Sequence, residues 1–228
     1  MNTPQPSWVF ERGSFWSLDL LPEANLPAPI FPNLPAVLTE VGRDSAEPLA
    51  RAMGLSDKQP VLQRLAGRRC FTAQVGPTVA AYCWVSTVHE CIGEMEHELR
   101  LPPGEAYIWD CATRPEFRGQ RLYGSLLSHI TGQLRCEGLQ RIWIGASLDN
   151  HPSLRAFARA GFQQRFIASY LRLFNLACLV LAKSPAALPN SIAALKEMLA
   201  SPQEHTWGPI LFNYSSAVQL PPCLQPES

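Results

Sequence analysis

The chain has 228 residues with 19 basic and 19 acidic side chains, so its formal net charge is zero. That length supports one sizeable core with an added arm, and the balanced charge leaves no electrostatic footprint for a nucleic acid. Met1-Asn2-Thr3-Pro4-Gln5-Pro6 lacks the basic and apolar regions of a secretory leader, and the longest apolar run, Leu171 to Ala182, is broken by Arg172 and Asn175. That run is also shorter than the roughly 20 residues a membrane span needs, so the expectation is a cytoplasmic protein with neither a membrane nor a nucleic-acid partner.

In chain order, prolines at 22, 27, 29, 32 and 35 exclude regular structure from much of the first segment. Trp8, Phe10, Phe15 and Trp16 argue that part of it packs, with a first strand between Trp8 and Leu20. Residues 1–35 are therefore expected to form an extended arm, residues 36–183 the main domain, and residues 184–228 an extension packed on it. Ser45-Ala46-Glu47-Pro48 opens a helix that Gly54 closes. Ser56-x-x-Gln59 reads as a capping box for the next helix, ending near Gly67. Gly76-Pro77 marks a hairpin between two β-rich runs. The stretch 87–104 is ambiguous, with Glu94, Glu96 and Glu98 alternating on what reads as a solvated strand face. Pro102-Pro103-Gly104 is a firm break before the apolar run Tyr107–Thr113. Arg165–Leu173 and Leu176–Ala182 read as later strands, followed by a helix near 191–200 and a strand near 210–214. Strand–helix alternation after an antiparallel hairpin predicts one mixed α/β sheet.

The seven cysteines, Cys70, Cys83, Cys91, Cys111, Cys136, Cys178 and Cys223, show no Cys-x-x-Cys or paired Cys/His spacing. They read as reduced thiols, mostly buried, and a structural zinc site is not supported.

The most informative run is Arg118-Gly119-Gln120-Arg121-Leu122-Tyr123. It follows the strand Tyr107–Thr113 and precedes Leu122, Leu126, Ile130 and Leu134, which recur as one face of a helix. A basic, glycine-containing turn thus meets a helix N-terminus, where free amides and the positive dipole end favour a phosphate or pyrophosphate. Further on, the strand Arg141–Ser147 leads into Asn150-His151-Pro152-Ser153 and a helix ending at Gly161-Phe162. Asn150 suits an N-cap, Pro152 the first turn and Gly161 the C′ position.

The first run and its lead-in from Thr113 resemble the coenzyme-A pyrophosphate loop of the GNAT acyltransferase superfamily, Arg/Gln-x-x-Gly-x-Gly/Ala. Arg121 stands at the central glycine and Tyr123 at the last Gly/Ala. Asn150-x-x-Ser153 with the helix ending in Gly161-Phe162 resembles the second signature of the same superfamily. The resemblance covers residues 69–182. It implies a GNAT-like fold and transfer of an acetyl or other acyl group from coenzyme A to an amine on a small molecule or peptide. The donor would be acetyl-CoA or another acyl-CoA, without a metal, in a monomer or homodimer.

The resemblance also implies site roles. Cys111, Ala112 and Thr113 would offer backbone to the pantetheine. The amides of Gly119, Gln120, Arg121, Leu122 and Tyr123 would cradle the pyrophosphate, with Arg118 adding charge. Asn150 and Ser153 are divided between cofactor contact and helix capping. Acyl transfer to an amine needs a base, for which Glu105 and Asp110 are the strand carboxylates. An odd separation puts them on opposite sides of a strand unless a bulge intervenes. The superfamily's usual tyrosine acid is replaced by Phe157, so Tyr123 and Tyr107 are the substitutes. Direct transfer is expected over a covalent route through Cys111, which has no base near it in sequence. A GNAT-fold protein that binds acyl-CoA without catalysis, or serves a regulatory role, is the alternative. An unrelated α/β enzyme with another phosphate ligand stands behind both.

Overall fold

The computed structural model describes residues 8–21, 24, 26–93, 97–173, 176–184, 198–199 and 210–213. The strands are β1 (Trp8–Asp19), β2 (Val37–Glu40), β3 (Arg69–Val75), β4 (Thr78–Ser86), β5 (His89–Ile92), β6 (His97–Arg100), β7 (Glu105–Thr113), β8 (Arg141–Ser147), β9 (Gln163–Leu173), β10 (Leu176–Lys183) and β11 (Ile210–Asn213). The helices are α1 (Ala46–Ala52), α2 (Gln59–Leu65), α3 (Leu122–Cys136) and α4 (His151–Arg159). Nine strands form one sheet in the order β11-β10-β9-β1-β8-β7-β4-β3-β2, while β5 and β6 pair separately. Among the described residues of the large sheet only β7 and β8 run parallel. The mixed α/β sheet expected from the strand–helix alternation is therefore present.

Side-chain alternation divides the core between the two faces of this sheet. Ala81, Cys83, Val85, Ala106, Ile108, Ile142 and Ile144 pack under Leu122, Leu126, Ile130 and Leu134 of α3 and Phe157 of α4. The apolar stripe read from the sequence is thus the buried face of α3. On the other face, Cys70, Val79, Tyr82 and Trp84 meet Leu49 and Val61 of α1 and α2. Phe15, Tyr107 and Trp143 meet Leu99 and Leu101 near the β5–β6 hairpin.

The Gly76-Pro77 hairpin joins β3 to β4 with Val75 opposite Thr78, and Gly76 takes a φ of +57°. The capping box at Ser56 does not form. α2 starts at Gln59, Lys58 is its N-cap without a side-chain bond, and Asp57 Oδ1 accepts from the Gln59 amide at 3.2 Å. Pro60 explains the shift. Starting at Ser56 would place it where an amide must donate within the helix, whereas starting at Gln59 leaves it in the first turn.

The proline-rich segment divides in two. Trp8–Asp19 is an interior strand, antiparallel to both β8 and β9. Leu26, Ile30 and Leu34 of the remainder pack against the core under α3. Part of the expected arm is therefore the middle of the sheet. In the 87–104 stretch, Glu98 lies on β6 and pairs with Arg100, while Glu94 and Glu96 lie outside the described residues. The tail strand is present as β11; of the helix near 191–200 only Met198 and Leu199 are described, and both are buried in the second cluster. Cys70, Cys83, Cys111, Cys136 and Cys178 are free thiols. The expectation of reduced thiols fails at Cys91, which is disulfide-bonded.

Candidate active site

β7 and β8 pair in parallel from Glu105–Arg141 to Ile108–Ile144. Beyond that point they diverge. β7 continues to Thr113 against β4, and β8 continues to Ser147 against β1. Residues 109–113 and 145–147 thus face each other across a wedge whose mouth lies at the C-terminal ends of two parallel strands. Gly145 stands at the opening of that wedge, where a Cβ would lie 3.5 Å from the Tyr107 hydroxyl. Tyr107 itself is buried.

The basic turn follows the end of β7. There a short 3-10 turn, Pro115–Phe117, leads to Arg118, and Gly119 and Arg121 both take positive φ, +78° and +59°. Arg121 is the N-cap of α3 without a side-chain capping bond, and its carbonyl accepts from the Ser125 amide at 3.0 Å and hydroxyl at 2.9 Å. The left-handed backbone explains why a glycine suits position 121: an L side chain there is strained and glycine is not. Arg118, Gly119 and Arg121 are exposed, Gln120 and Tyr123 are half-buried, and Leu122 is buried. Arg118 Nε donates back to the Thr113 carbonyl at 3.4 Å, tying the turn to the end of β7.

A bulge lies inside the wedge. Trp84 faces Trp109 and Tyr82 faces Ala112, so Cys83 alone opposes both Asp110 and Cys111. Asp110 absorbs the extra residue with a φ of +40°. The bulge overturns the simple alternation that would set Asp110 opposite to Glu105. Asp110 reaches the face of α2, where it pairs with Arg64, whose guanidinium lies 5.6 Å from the Trp84 ring and 5.4 Å from the Trp109 ring. Arg68 stacks on Trp109 from 5.6 Å and binds Glu90 with two hydrogen bonds. Ser86 accepts from Trp109 Nε1 and donates to Glu90.

Glu105 is not brought to this place. It sits at the closed end of the β7–β8 pair, held by Trp143 Nε1 and by Arg141, which also binds Asp19.

On the opposite face, Tyr123 enters the wedge from the first turn of α3. Its ring lies 6.3 Å from Phe157, edge-on, and Phe157 in turn meets Trp16 at 5.9 Å. Burial, and then the Cys111 and Cys83 sulfurs, push the Tyr123 phenol up. Burial also pushes the Cys83 thiol up. Both groups beside Cys111 are therefore neutral. Ala112 is exposed and Thr113 half-buried at the mouth. Asn150 acts as the cap of α4, its Oδ1 accepting from the Ser153 amide at 3.3 Å. Among the described residues no group of three or more His, Cys, Asp or Glu side chains is arranged to hold a metal, and no helix is long and apolar enough to cross a membrane.

The fold has counterparts in known proteins. Residues 39–162 match the model of the acetyltransferase (GNAT) family. The chain belongs to the GNAT family. Among solved structures, a GNAT-family protein from Novosphingobium aromaticivorans aligns with a TM-score of 0.50 at 16% identity, covering 80% of this chain and 70% of its own. A GCN5-related N-acetyltransferase from Sphaerobacter thermophilus gives 0.51 at 13% identity, covering 79% and 54%. A Drosophila protein gives 0.50 at 10% identity, covering 73% and 52%. The chain thus spans about half the length of the latter two structures. Comparison with curated protein sequences gives no match.

In this GNAT protein the first signature follows the end of β7 and the second follows the end of β8. Arg64, Trp109 and the Arg68–Glu90–Ser86 network carry no sequence signal, because they converge only through the packing of α2 and β5 on β7. The bulge is equally silent in sequence. Asn33, which reaches the turn from the proline-rich segment, is flanked by Pro32 and Leu34-Pro35, a turn composition and nothing more.

Proposed function

We propose that this GNAT enzyme transfers an acyl group, acetyl in the simplest case, from coenzyme A to an amine by direct attack within a ternary complex. The observation that carries this reading is the divergence of β7 and β8 beyond Ile108 and Ile144, beside a basic turn at the N-terminus of α3. At Cys111, Ala112 and Thr113 the edge of β7 no longer paired with β8 suits the extended pantetheine, and the amides from Gly119 to Tyr123 with Arg118 suit the pyrophosphate. Asn150 and Ser153, at the start of α4 beyond the end of β8, suit contact with the pantetheine, with Asn150 already engaged as a cap.

Of the two strand carboxylates, Asp110 is the better base: both are ion-paired, but Glu105 lies within the paired stretch of β7 and β8, whereas Asp110 lies beyond it, where the strands have parted. The amine nitrogen forms its bond to the thioester carbon, its proton passes to Asp110 directly or through water, and the carbon–sulfur bond breaks to release thiolate. Tyr123, with its phenol pushed up, is suited to donate a hydrogen bond to that thiolate rather than surrender its proton. A covalent route through Cys111 is disfavoured, because Cys83 and Tyr123 beside it are held neutral and neither can take its proton. The acceptor is an amine on a small molecule or peptide.

A second reading, binding of acyl-CoA without turnover, draws on Tyr123 standing inside the wedge and on Phe157 in place of the usual acid. One experiment separates them. Coenzyme A is titrated calorimetrically into the wild type and Arg118→Glu, and acetyl-CoA is then assayed for thiol release against a panel of amines. The charge reversal weakens binding by at least tenfold, about 1.4 kcal/mol. Binding without thiol release supports the second reading. No binding by the wild type overturns both.

A further inference from the structure

The proline-rich segment reaches the pyrophosphate turn. The Asn33 amide donates to the Gln120 carbonyl at 3.0 Å, and its side-chain Nδ2 donates to the Gly119 carbonyl at 3.4 Å. The same segment is fastened on either side of Asn33. The Ile30 amide donates to Ser128 Oγ on α3 at 3.1 Å, and the Ile30 side chain lies 3.4 Å from where a Cβ on Gly124 would stand. Pro27 fills the space beside Gly161, 2.7 Å from the position of a Cβ there. On the other side, the segment joins the sheet as β2, paired with β3.

A trans peptide holds its carbonyl and the following N–H on opposite sides of one plane. Fixing the Gly119 carbonyl therefore aims the Gln120 amide the other way, and fixing the Gln120 carbonyl does the same for the Arg121 amide. These two amides are the middle of the turn. From this geometry we infer that Asn33 is a positioning residue for coenzyme A: it turns the Gln120 and Arg121 amides outward so that they meet the pyrophosphate already oriented. The inference rests on the proposed pyrophosphate site and extends it to a segment outside both sequence signatures. Arg121 gives the arrangement its purpose. A non-glycine residue at a φ of +59° favours other conformations, and two carbonyl anchors oppose its relaxation.

The role is selective, because only a ligand with a pyrophosphate uses those amides. Wild type, Asn33→Ala and Asn33→Pro are titrated with coenzyme A by calorimetry. The same proteins are titrated with pantetheine, which lacks the pyrophosphate, by NMR chemical shift. Asn33→Ala removes the side-chain bond alone, and Asn33→Pro removes the backbone donor as well. The expected result is a loss of coenzyme-A affinity of roughly threefold for alanine and tenfold for proline, with pantetheine binding unchanged. Alanine keeps the backbone intact, so the test survives a proline variant that does not fold. Unchanged coenzyme-A affinity in a folded variant overturns the inference and leaves the function proposal standing. Equal loss for pantetheine also overturns it, because general damage to the fold moves both ligands. A wild type that binds no coenzyme A removes the pyrophosphate site itself.

Discussion

Arg121 shows how one residue sets stability against binding. Its φ of +59° costs an L-residue about 1–2 kcal/mol relative to a right-handed conformation, a cost glycine avoids. Its guanidinium, exposed at the mouth of the wedge, is free to turn onto a phosphate. Arg121→Gly is therefore expected to raise the melting temperature by about 2–4 °C per kcal/mol relieved while weakening coenzyme-A binding. Calorimetric scanning and titration of the same variant check both signs, and tighter binding shows that the side chain is an obstruction. Asp110 is the second such residue, held by the bulge opposite Cys83. Asp110→Asn is expected to lower turnover by about 10²–10⁴ and to remove a limb of the pH–rate profile, whereas Glu105→Gln leaves the profile in place. The glycine preference at position 121 was legible as a motif. The conformation behind it was not, because φ does not follow from residue type when arginine occupies the site.

Among the elements, α4 was the most legible. Asn150, Pro152 and Gly161 mark its ends in the sequence, and each takes the expected place in the structure. Gly161 carries a second constraint that no local pattern reveals. Its φ is +89°, and a Cβ there would lie 2.7 Å from Pro27 Cγ and 2.8 Å from its Cδ. Gly161→Ala combines left-handed strain with overpacking against the proline ring, so a loss of about 2 kcal/mol or more is expected in urea denaturation. Substituting Pro27 by alanine in the same background is expected to restore part of it. α2 was less legible, because Ser56 and Gln59 satisfy a capping pattern that Pro60 overrides.

For the whole molecule, acid is the condition that tests long-range packing. Arg69 at the start of β3 bridges Glu40 on β2 and Glu137 just past α3. Its hydrogen bonds hold the Glu137 carboxyl below its ordinary value. His129 on α3 packs edge-on to Phe71, 6.0 Å between ring centres, and burial holds its imidazole below its ordinary value. Both groups bind protons more readily unfolded than folded, so stability rises with pH across each window. It is complete above the ordinary values and declines as pH falls, first below about 6.5 as His129 is driven to charge, then below about 4.3 as Glu137 is protonated. Melting temperature measured from pH 8 to pH 3 is expected to fall in those two stages. His129→Leu should flatten the first stage and Glu137→Gln the second; an unchanged first stage in His129→Leu would refute the assignment.

What the sequence by itself determined is local: the basic turn at the start of α3, the capped helix after β8, the hairpin at Gly76-Pro77 and the mixed sheet they imply. Each follows from residues within one turn or one strand of each other. The tertiary structure alone decided the rest. It threads Trp8–Asp19 between β8 and β9, it sets Asp110 beside Arg64 through a bulge, and it carries Asn33 to the carbonyls of Gly119 and Gln120. Those contacts join residues 46 to more than 130 positions apart. Their pairing depends on which surfaces close over a common core, and no spacing along the chain encodes that choice.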